Sequence, residues 1–281
     1  MFTEINTAKT HKLIYNKLSK KIKLFWWSEI YLMNKPRENF GDLVGKYLVE
    51  KISKKRIIFV HPKKQKWNHY LQPIYATAGS ILAHVTPQCI VWGSGIINKE
   101  QKVEAAKFLS VRGPQTRKRL LEQGYQVPEL YGDPALLLPK YHAPIIKKSY
   151  KFGIVPHYVD FETVKHEFKD HNEIKVIDLM TNSIEEVIDQ FLTCEKIYSS
   201  SLHGLIVAHA YKIPAIWIKP SDKLFGDDIK FQDYFESVGI QMYIPETSIS
   251  LDSNDFKKHS QPNFQRIVDC QNDLMKSCPF K

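Results

Sequence analysis

Short apolar runs alternate with amphipathic segments along the whole chain of 281 residues. Buried strands of a parallel sheet are nearly continuous apolar runs, whereas helices repeat their apolar positions every three or four residues. The alternation therefore predicts an α/β protein with parallel sheets. The predicted strands lie at 22–27, 56–60, 75–78, 89–92, 108–111, 152–157, 174–178, 196–198 and 214–218.

Predicted helices follow several of these strands. Apolar side chains from Leu43 to Ile52 have the spacing of one helical face, so a helix is expected to open just before them. Ser183 and Glu186 have the spacing of a capping box, which predicts a helix that starts at residue 184. Further helices are predicted at 8–20, 115–123, 205–211 and 255–274.

The segment 138–144 holds two prolines and has no periodicity, so it is predicted to link two domains. We expect Rossmann-like domains at 1–140 and 150–250, followed by a helical tail at 251–281. Two such halves leave a cleft between them, and parallel sheets bind ligands outside the carboxyl ends of their strands. The polar clusters of this chain fall at those predicted strand ends.

Composition narrows the class of protein without naming a function. A content of 43% hydrophobic and 25% charged residues is typical of a soluble enzyme, and the net charge of +10 suits an anionic partner. The four cysteines form no Cys-x-x-Cys pair, which predicts free thiols in a reducing compartment. The sequence shows neither a membrane-spanning run nor a signal peptide, so we expect a cytoplasmic protein.

A hydroxyl-rich run, Ser199-Ser200-Ser201-Leu202-His203-Gly204, joins a predicted strand to a predicted helix. Backbone amides at a helix N-terminus, helped by hydroxyls, can form a site for anions. His203 would stand in the first helical turn, where it could donate to a phosphate or carboxylate oxygen. A structural helix cap with a packed histidine is the alternative interpretation.

Arg112 stands directly after a predicted buried strand. An arginine so close to a core is costly unless it is paired, and its planar fork suits a carboxylate or phosphate. The partner is either an anionic ligand or an internal carboxylate. Gly93-Ser94-Gly95, at another strand end, would let the backbone approach the same ligand.

Asn39-Phe40-Gly41-Asp42 opens the helix that follows the first strand. In one interpretation, Asn39 caps this helix and the negative charge of Asp42 interacts favourably with the helix dipole. In the other, Asp42 lies in the cleft as a base or as a ligand for a sugar hydroxyl. Gly132-Asp133-Pro134 is a strand-end turn in which Asp133 fits a structural role as well as a functional one.

Several common sites have no counterpart in the sequence. There is no dinucleotide fingerprint, no Walker lysine and no nucleophile elbow, and no acidic residues have metal-ligand spacing. Basic residues are scattered and no recognition module is visible. We therefore expect no metal and no nucleic-acid partner.

Five motifs, taken in order, resemble the polysaccharide pyruvyl transferase family, and especially its exopolysaccharide ketal-pyruvyl transferase branch. The resemblance runs from about residue 22 to about residue 240. Its motifs are Asn39-Phe40-Gly41-Asp42, Val91-Trp92-Gly93-Ser94-Gly95, Ser110-Val111-Arg112-Gly113-Pro114, Gly132-Asp133-Pro134-Ala135 and Ser200-Ser201-Leu202-His203-Gly204-Leu205.

The resemblance implies a GT-B-like architecture, with the acceptor on the N-terminal side and the donor on the C-terminal side of the cleft. It implies phosphoenolpyruvate as co-substrate without a cofactor, and a pyruvate ketal on a hexose of a glycan or lipid-linked oligosaccharide. In the family an Arg-Leu-His run and a second arginine contact the donor. Here His203 and Arg112 correspond to the histidine and second arginine, and Ser201 replaces the first arginine, as in the exopolysaccharide branch.

These considerations give one set of predicted roles. His203, Arg112 and Asp42 are the predicted catalytic residues. The donor is expected at Arg112, Gly93, Ser94, Gly95, Ser199, Ser200, Ser201, His203 and Gly204. The acceptor is expected at Asn39, Asp42, His84 and His157. A glycosyltransferase of the same shape, with a nucleotide sugar as donor, is the alternative enzyme.

The predicted basic helix at 8–20 stands beside Phe25-Trp26-Trp27. Its lysines could hold the protein at anionic lipid on the inner face of the cell membrane. A non-enzymatic membrane-surface scaffold is therefore a further alternative. The aromatic residues are equally explained as part of a buried first strand.

Overall fold

Two parallel β-sheets form the framework of the protein. The computed structural model describes residues 21–64, 72–221 and 226–281, and the helix predicted at 8–20 lies outside them. The strands are β1 (Lys21–Phe25), β2 (Glu38–Asn39), β3 (Arg56–Phe59), β4 (Ile74–Ala76), β5 (Cys89–Trp92), β6 (Lys107–Ser110), β7 (Tyr150–Val155), β8 (Ile174–Val176), β9 (Met180–Thr181), β10 (Cys194–Ser199) and β11 (Ala215–Trp217).

The helices mostly connect successive strands. The α-helices are α1 (Glu29–Met33), α2 (Phe40–Ser53), α3 (Pro114–Glu122), α4 (Phe161–Glu167), α5 (Ile184–Leu192), α6 (Leu202–Ala210), α7 (Ile229–Val238), α8 (Asp255–Lys258) and α9 (Phe264–Ser277). Short 3-10 helices lie at Pro62–Lys64, Leu82–His84 and Pro134–Lys140. Within the described ranges, no helix is long and apolar enough to cross a membrane.

The first sheet has the strand order β3-β1-β4-β5-β6, and all its neighbours are parallel. Leu24 in β1 pairs with Phe59 on one side and Tyr75 on the other. Leu24 and Val91 are fully buried, as expected for strands of a parallel sheet that is covered on both faces. The strands predicted in this half are confirmed.

The second sheet has the order β11-β10-β7-β8 and is also parallel throughout. Helix α5 starts where the capping box predicts, because Ser183 accepts a hydrogen bond from the backbone N–H of Glu186 at 3.4 Å. The two sheets confirm an α/β protein with a Rossmann-like layout. The GT-B-like architecture and the domain limits stay predictions.

A small antiparallel pair of strands, β2 and β9, ties the two halves together. Glu38 pairs with Thr181 in this ladder, and the backbone N–H of Phe40 donates to the carbonyl of Leu179 at 2.8 Å. The helix α2 therefore begins at the seam between the halves. This position brings its first residues next to the second sheet.

One hydrophobic cluster runs through both halves, from Leu24 in β1 to Leu205 in α6. The predicted linker at 138–144 begins inside this cluster, because Leu138 belongs to the 3-10 helix Pro134–Lys140 and is fully buried. A run of three leucines gives that helix its core-facing surface. The structure thus has a packed element where the prolines suggested an open connection.

The C-terminal part of the chain returns to the first half. The indole N–H of Trp92 in β5 donates to the carbonyl of Leu274 in α9 at 2.9 Å. The prediction of one helix at 255–274 is wrong, since α8 ends at Lys258 and α9 begins at Phe264. Pro262 cannot supply a helical N–H there, and Asn263 caps α9 instead. All four cysteines are free, as predicted.

Candidate functional site

A cleft of about 540 Å³ lies at the carboxyl ends of strands from both sheets. Trp27 enters it after β1, Ser80 after β4, His157 after β7 and Ser201 after β10. This is the region where parallel sheets usually bind ligands. Its volume falls within the roughly 300–1,000 Å³ of typical small-molecule pockets.

The hydroxyl run 199–204 contributes only part of its side chains to the cleft. Ser199 and Ser200 are buried beneath it: the Ser199 hydroxyl donates to backbone carbonyls, and Ser200 accepts from the N–H of His157 at 2.8 Å. Ser201 and His203 line the cleft. A Cβ at Gly204 would lie 2.1 Å from the Ser199 hydroxyl, so glycine lets α6 start close to β10.

His203 stands in the first turn of α6 and faces the start of α2. A Cβ at Gly41 would lie 2.1 Å from the His203 Nδ1, so the glycine leaves the room that the imidazole occupies. On its other edge, Nε2 lies 3.4 Å from Oδ2 of the buried Asp133. The imidazole is therefore fixed between two motifs that are distant in the sequence.

Asp42 also lines the cleft, beside Gly79. Burial raises the pKa of its carboxyl to about 7, although the electrostatic interaction with His203 opposes this shift. A carboxyl with this pKa is present in both protonation states near neutral pH. It can therefore act as an acid as well as the base that one sequence interpretation proposed.

Asn39 has a structural task as well as a place in the cleft. Its side chain caps α2 by accepting from the N–H of Gly41 at 3.0 Å. The capping interpretation is therefore confirmed. Because Asn39 also lines the cleft, its amide group can still face an acceptor.

The two predicted acceptor histidines, His84 and His157, lie in the same cleft. Burial and the charge of Lys230 lower the pKa of His157 to about 4. Burial and the neighbouring His61 lower the pKa of His84 as well. Both rings are therefore neutral at physiological pH and suit hydrogen bonds to sugar hydroxyls better than contacts to an anion.

Arg112 lies in the protein interior and is held by protein atoms. Its guanidinium is buried and donates to Asp233 Oδ2 at 2.9 Å, to the Ser80 hydroxyl at 2.6 Å and to the Ile96 carbonyl at 2.7 Å. It does not line the cleft. The structure thus has the internal carboxylate partner, which was the alternative interpretation of this residue.

Gly93, Ser94 and Gly95 also lie outside the lining of the cleft. The Ser94 hydroxyl donates to the Gly79 carbonyl at 2.7 Å. A Cβ at Gly95 would lie 2.4 Å from the Arg112 guanidinium carbon, and Gly93 has a positive φ of 84°. These glycines make room for protein atoms, and their predicted contact with the donor has no counterpart in the described geometry.

Lys230 is a cleft residue that the sequence analysis missed. It lies in the first turn of α7, and its ammonium lies 5.4 Å from the centroid of the Phe231 ring. Burial and the positive charge of Arg112 lower the pKa of its amine. The apolar neighbours Ile229 and Phe231 gave no hint in the sequence that this lysine faces a cleft.

An aromatic wall, formed by Trp27 and His84, bounds the cleft, and Tyr158 also lines it. The rings of Trp27 and His84 lie 5.3 Å apart, and Tyr158 is 40% exposed. The ammonium of Lys35 lies 4.8 Å above the Tyr158 ring and pairs with the buried Glu29 at 2.8 Å. Trp27, Glu29 and Tyr158 were not among the predicted site residues.

The fold and the site define an α/β protein with a cleft at the ends of two parallel sheets, lined by several titratable side chains. The polysaccharide pyruvyl transferase family matches residues 10–222 of the chain. The chain therefore belongs to the polysaccharide pyruvyl transferase family, as its motifs predicted. It is also 32% identical over 238 residues to the uncharacterized protein L143 of Acanthamoeba polyphaga mimivirus, covering 82% of this chain and 81% of that protein.

Proposed function

We propose that the protein transfers the enolpyruvyl unit of phosphoenolpyruvate to a hexose of a surface glycan or its lipid-linked precursor, and forms a pyruvate ketal. One observation carries the proposal. A cationic group, Lys230, a helix N-terminus with His203, and Asp42 with a raised pKa line the same cleft. An anionic donor and acid–base chemistry need this combination.

The reaction places defined demands on these residues. The methylene carbon of the enol phosphate takes up a proton, two sugar hydroxyls then bond to the adjacent carbon, and the carbon–oxygen bond to phosphate breaks. Of the two hydroxyl protons, one ends on the new methyl carbon and the other on the released phosphate. The atoms and charges therefore balance without an oxidant or a reductant.

The anionic donor is assigned to the side of the cleft formed by α6 and α7. The N–H groups and the Ser201 hydroxyl at the start of α6 provide donors, and Lys230 supplies a positive charge. His203 contacts the phosphate or delivers a proton. Asp42 exchanges protons with the sugar hydroxyls or with the methylene carbon.

The acceptor is assigned to the aromatic wall. Sugar rings have apolar faces that pack on aromatic side chains, while their hydroxyls need hydrogen-bond partners. Trp27 offers such a face, and His84, His157 and Asn39 lie within the same cleft. The cleft is large enough for the small donor and one hexose together.

Thermal unfolding of the full chain with added ligand tests the donor. Phosphoenolpyruvate is expected to stabilise the protein, because a ligand that binds the native state raises its melting temperature. Stabilisation by a nucleoside diphosphate, without an effect of phosphoenolpyruvate, would favour a nucleotide-sugar glycosyltransferase instead. The mass of a glycan acceptor after incubation with phosphoenolpyruvate tests the ketal directly.

A matched pair of lysine variants tests the position of the donor. Lys230→Met removes the charge that lines the cleft, and Lys118→Met removes an exposed charge on α3. Losing one charge-assisted hydrogen bond costs about 1.5–3 kcal/mol, which is tenfold or more in affinity. We expect this loss for phosphoenolpyruvate only in Lys230→Met. Equal affinities in the two variants would remove Lys230 from the donor site.

A further inference from the structure

Asp133 is a fully buried carboxylate that the proposed chemistry does not use. Its Oδ1 accepts a hydrogen bond from the N–H of Ala135 at 2.9 Å and so caps the 3-10 helix Pro134–Lys140. Its Oδ2 has no hydrogen-bond partner among the described residues. A buried carboxylate oxygen without a partner is costly, so this atom calls for an explanation.

His203 presents the complementary atom to this oxygen. Its Nε2 is buried, lies 3.4 Å from Asp133 Oδ2, and likewise has no hydrogen-bond partner in the part of the chain that the structure describes. The separation is about 0.5 Å longer than a usual N–H···O hydrogen bond. Such bonds are often long in ligand-free sites and shorten when the substrate binds.

We propose that Asp133 is a positioning residue that sets the tautomer of His203. The Nε2–H of His203 donates to Asp133 Oδ2, so the lone pair of the neutral ring is on Nδ1. The partner of one ring nitrogen decides which nitrogen holds the proton, and a carboxylate behind the ring holds it on the near side. His203 therefore accepts or donates its functional proton at Nδ1.

The position of Nδ1 agrees with this assignment. Nδ1 is the ring atom nearest to Gly41 at the start of α2, next in the chain to Asp42. Asp42 lines the cleft and interacts electrostatically with His203. The functional nitrogen therefore faces the same helix start as the proposed acid–base carboxyl.

A purely structural role would need only one oxygen of Asp133. The cap of the 3-10 helix uses Oδ1, and an asparagine would supply that oxygen equally well. Asp133→Asn keeps the cap and places an NH2 group opposite His203 Nε2. The amide cannot turn round without losing the bond to Ala135, so the proton of a neutral His203 has to move to Nδ1.

The test is ¹⁵N NMR of the imidazole nitrogens in the histidine-labelled full chain, with His203 assigned from the signal lost in His203→Gln. We expect the Nε2–H tautomer in the wild type and the Nδ1–H tautomer in Asp133→Asn. Asp255→Asn, a substitution of a buried aspartate at the start of α8, is the control and should leave the spectrum of His203 unchanged. The same tautomer in wild type and Asp133→Asn would overturn the proposal.

A turnover measurement separates this inference from the proposed function. The NMR test is independent of the proposed function, and only the activity measurement rests on it. A misplaced proton should cost about 100-fold or more in kcat with phosphoenolpyruvate, since general acid–base catalysis contributes that much. An unchanged kcat in Asp133→Asn would contradict the role of the tautomer in the reaction. If the wild type transfers no pyruvyl group while the tautomer changes as expected, the proposed function fails and the positioning role stands.

Discussion

Replacing Arg112 by methionine tests whether this arginine holds the protein together or binds a ligand. The substitution keeps an aliphatic stem and removes the guanidinium that contacts Asp233, Ser80 and Ile96. Both side chains of the Arg112–Asp233 pair are at most 1% exposed. The variant therefore leaves a carboxylate in the core without its counter-charge.

The expected magnitude follows from this burial. Removing one partner of a buried ion pair usually costs about 3–5 kcal/mol, because the other charge stays unpaired. Asp233 keeps hydrogen bonds from the N–H and the hydroxyl of Thr116 at 2.8 and 2.7 Å. We therefore expect a loss near the lower end, about 3 kcal/mol in the free energy of unfolding.

Urea unfolding, followed by circular dichroism and tryptophan fluorescence, measures this loss. Arg37→Met is the matched control, since the Arg37–Asp178 pair has side chains that are 51% and 23% exposed and is worth at most about 1 kcal/mol. Adding Asp233→Asn to Arg112→Met removes the unpaired charge and should restore part of the stability. An unchanged stability of Arg112→Met, together with lost stabilisation by phosphoenolpyruvate, would instead make Arg112 a donor ligand.

Three further predictions concern the cleft. Gly41→Ala and Gly45→Ala each place a methyl group 2.1 Å from a neighbouring side chain, but only Gly41→Ala displaces His203. We therefore expect both variants to be less stable in urea, and only Gly41→Ala to have a lower pyruvyl-transfer activity per amount of folded protein. Equal activities of the two variants would contradict the placement of His203 beside Gly41. Burial raises the pKa of Asp42 from 3.8 to about 7, so the native state holds this proton more tightly and stability falls as pH rises from about 4 to about 7. Asp42→Asn should remove this pH dependence of the melting temperature. The same dependence of melting temperature on pH in wild type and variant would refute the raised pKa of Asp42. Trp27→Ala should raise the KM for the acceptor roughly tenfold through lost apolar contact, while stabilisation by phosphoenolpyruvate stays as in the wild type.

The parallel sheets could be predicted because each central strand is a short, continuous apolar run. The position of helix α7 in the fold could not be predicted in the same way. Its partner is α3, which lies more than a hundred residues earlier, and Asp228 before it has a positive φ of 63° and makes no side-chain cap. The capping signal was therefore weak, although Phe231, Tyr234, Phe235 and Val238 have the spacing of one helical face. A remote contact decides where this helix lies.

The same distinction explains the candidate site. Asp42, His84, His157 and His203 could be assigned to one cleft because parallel strands end at the same edge of a sheet. Gly93-Ser94-Gly95 also follows a strand, but protein atoms fill the space beside it. No pattern within that motif shows that a later segment of the chain occupies the place of a ligand.

The buried pair between Arg112 and Asp233 also affects the cleft, because Asp233 and the cleft residue Lys230 lie on the same helix, α7. Asp233 lies three residues after Lys230 in α7, and a Cβ at Gly113 would lie 1.9 Å from the Asp233 carbonyl oxygen. The start of α3 thus holds α7 by direct backbone contact and by the buried pair. Because Lys230 stands one turn away on a short helix, its place in the cleft depends on these contacts. Under the proposed function, Arg112 would support the donor through Lys230 without touching it, so we expect stability and phosphoenolpyruvate binding to fall together when the pair is broken.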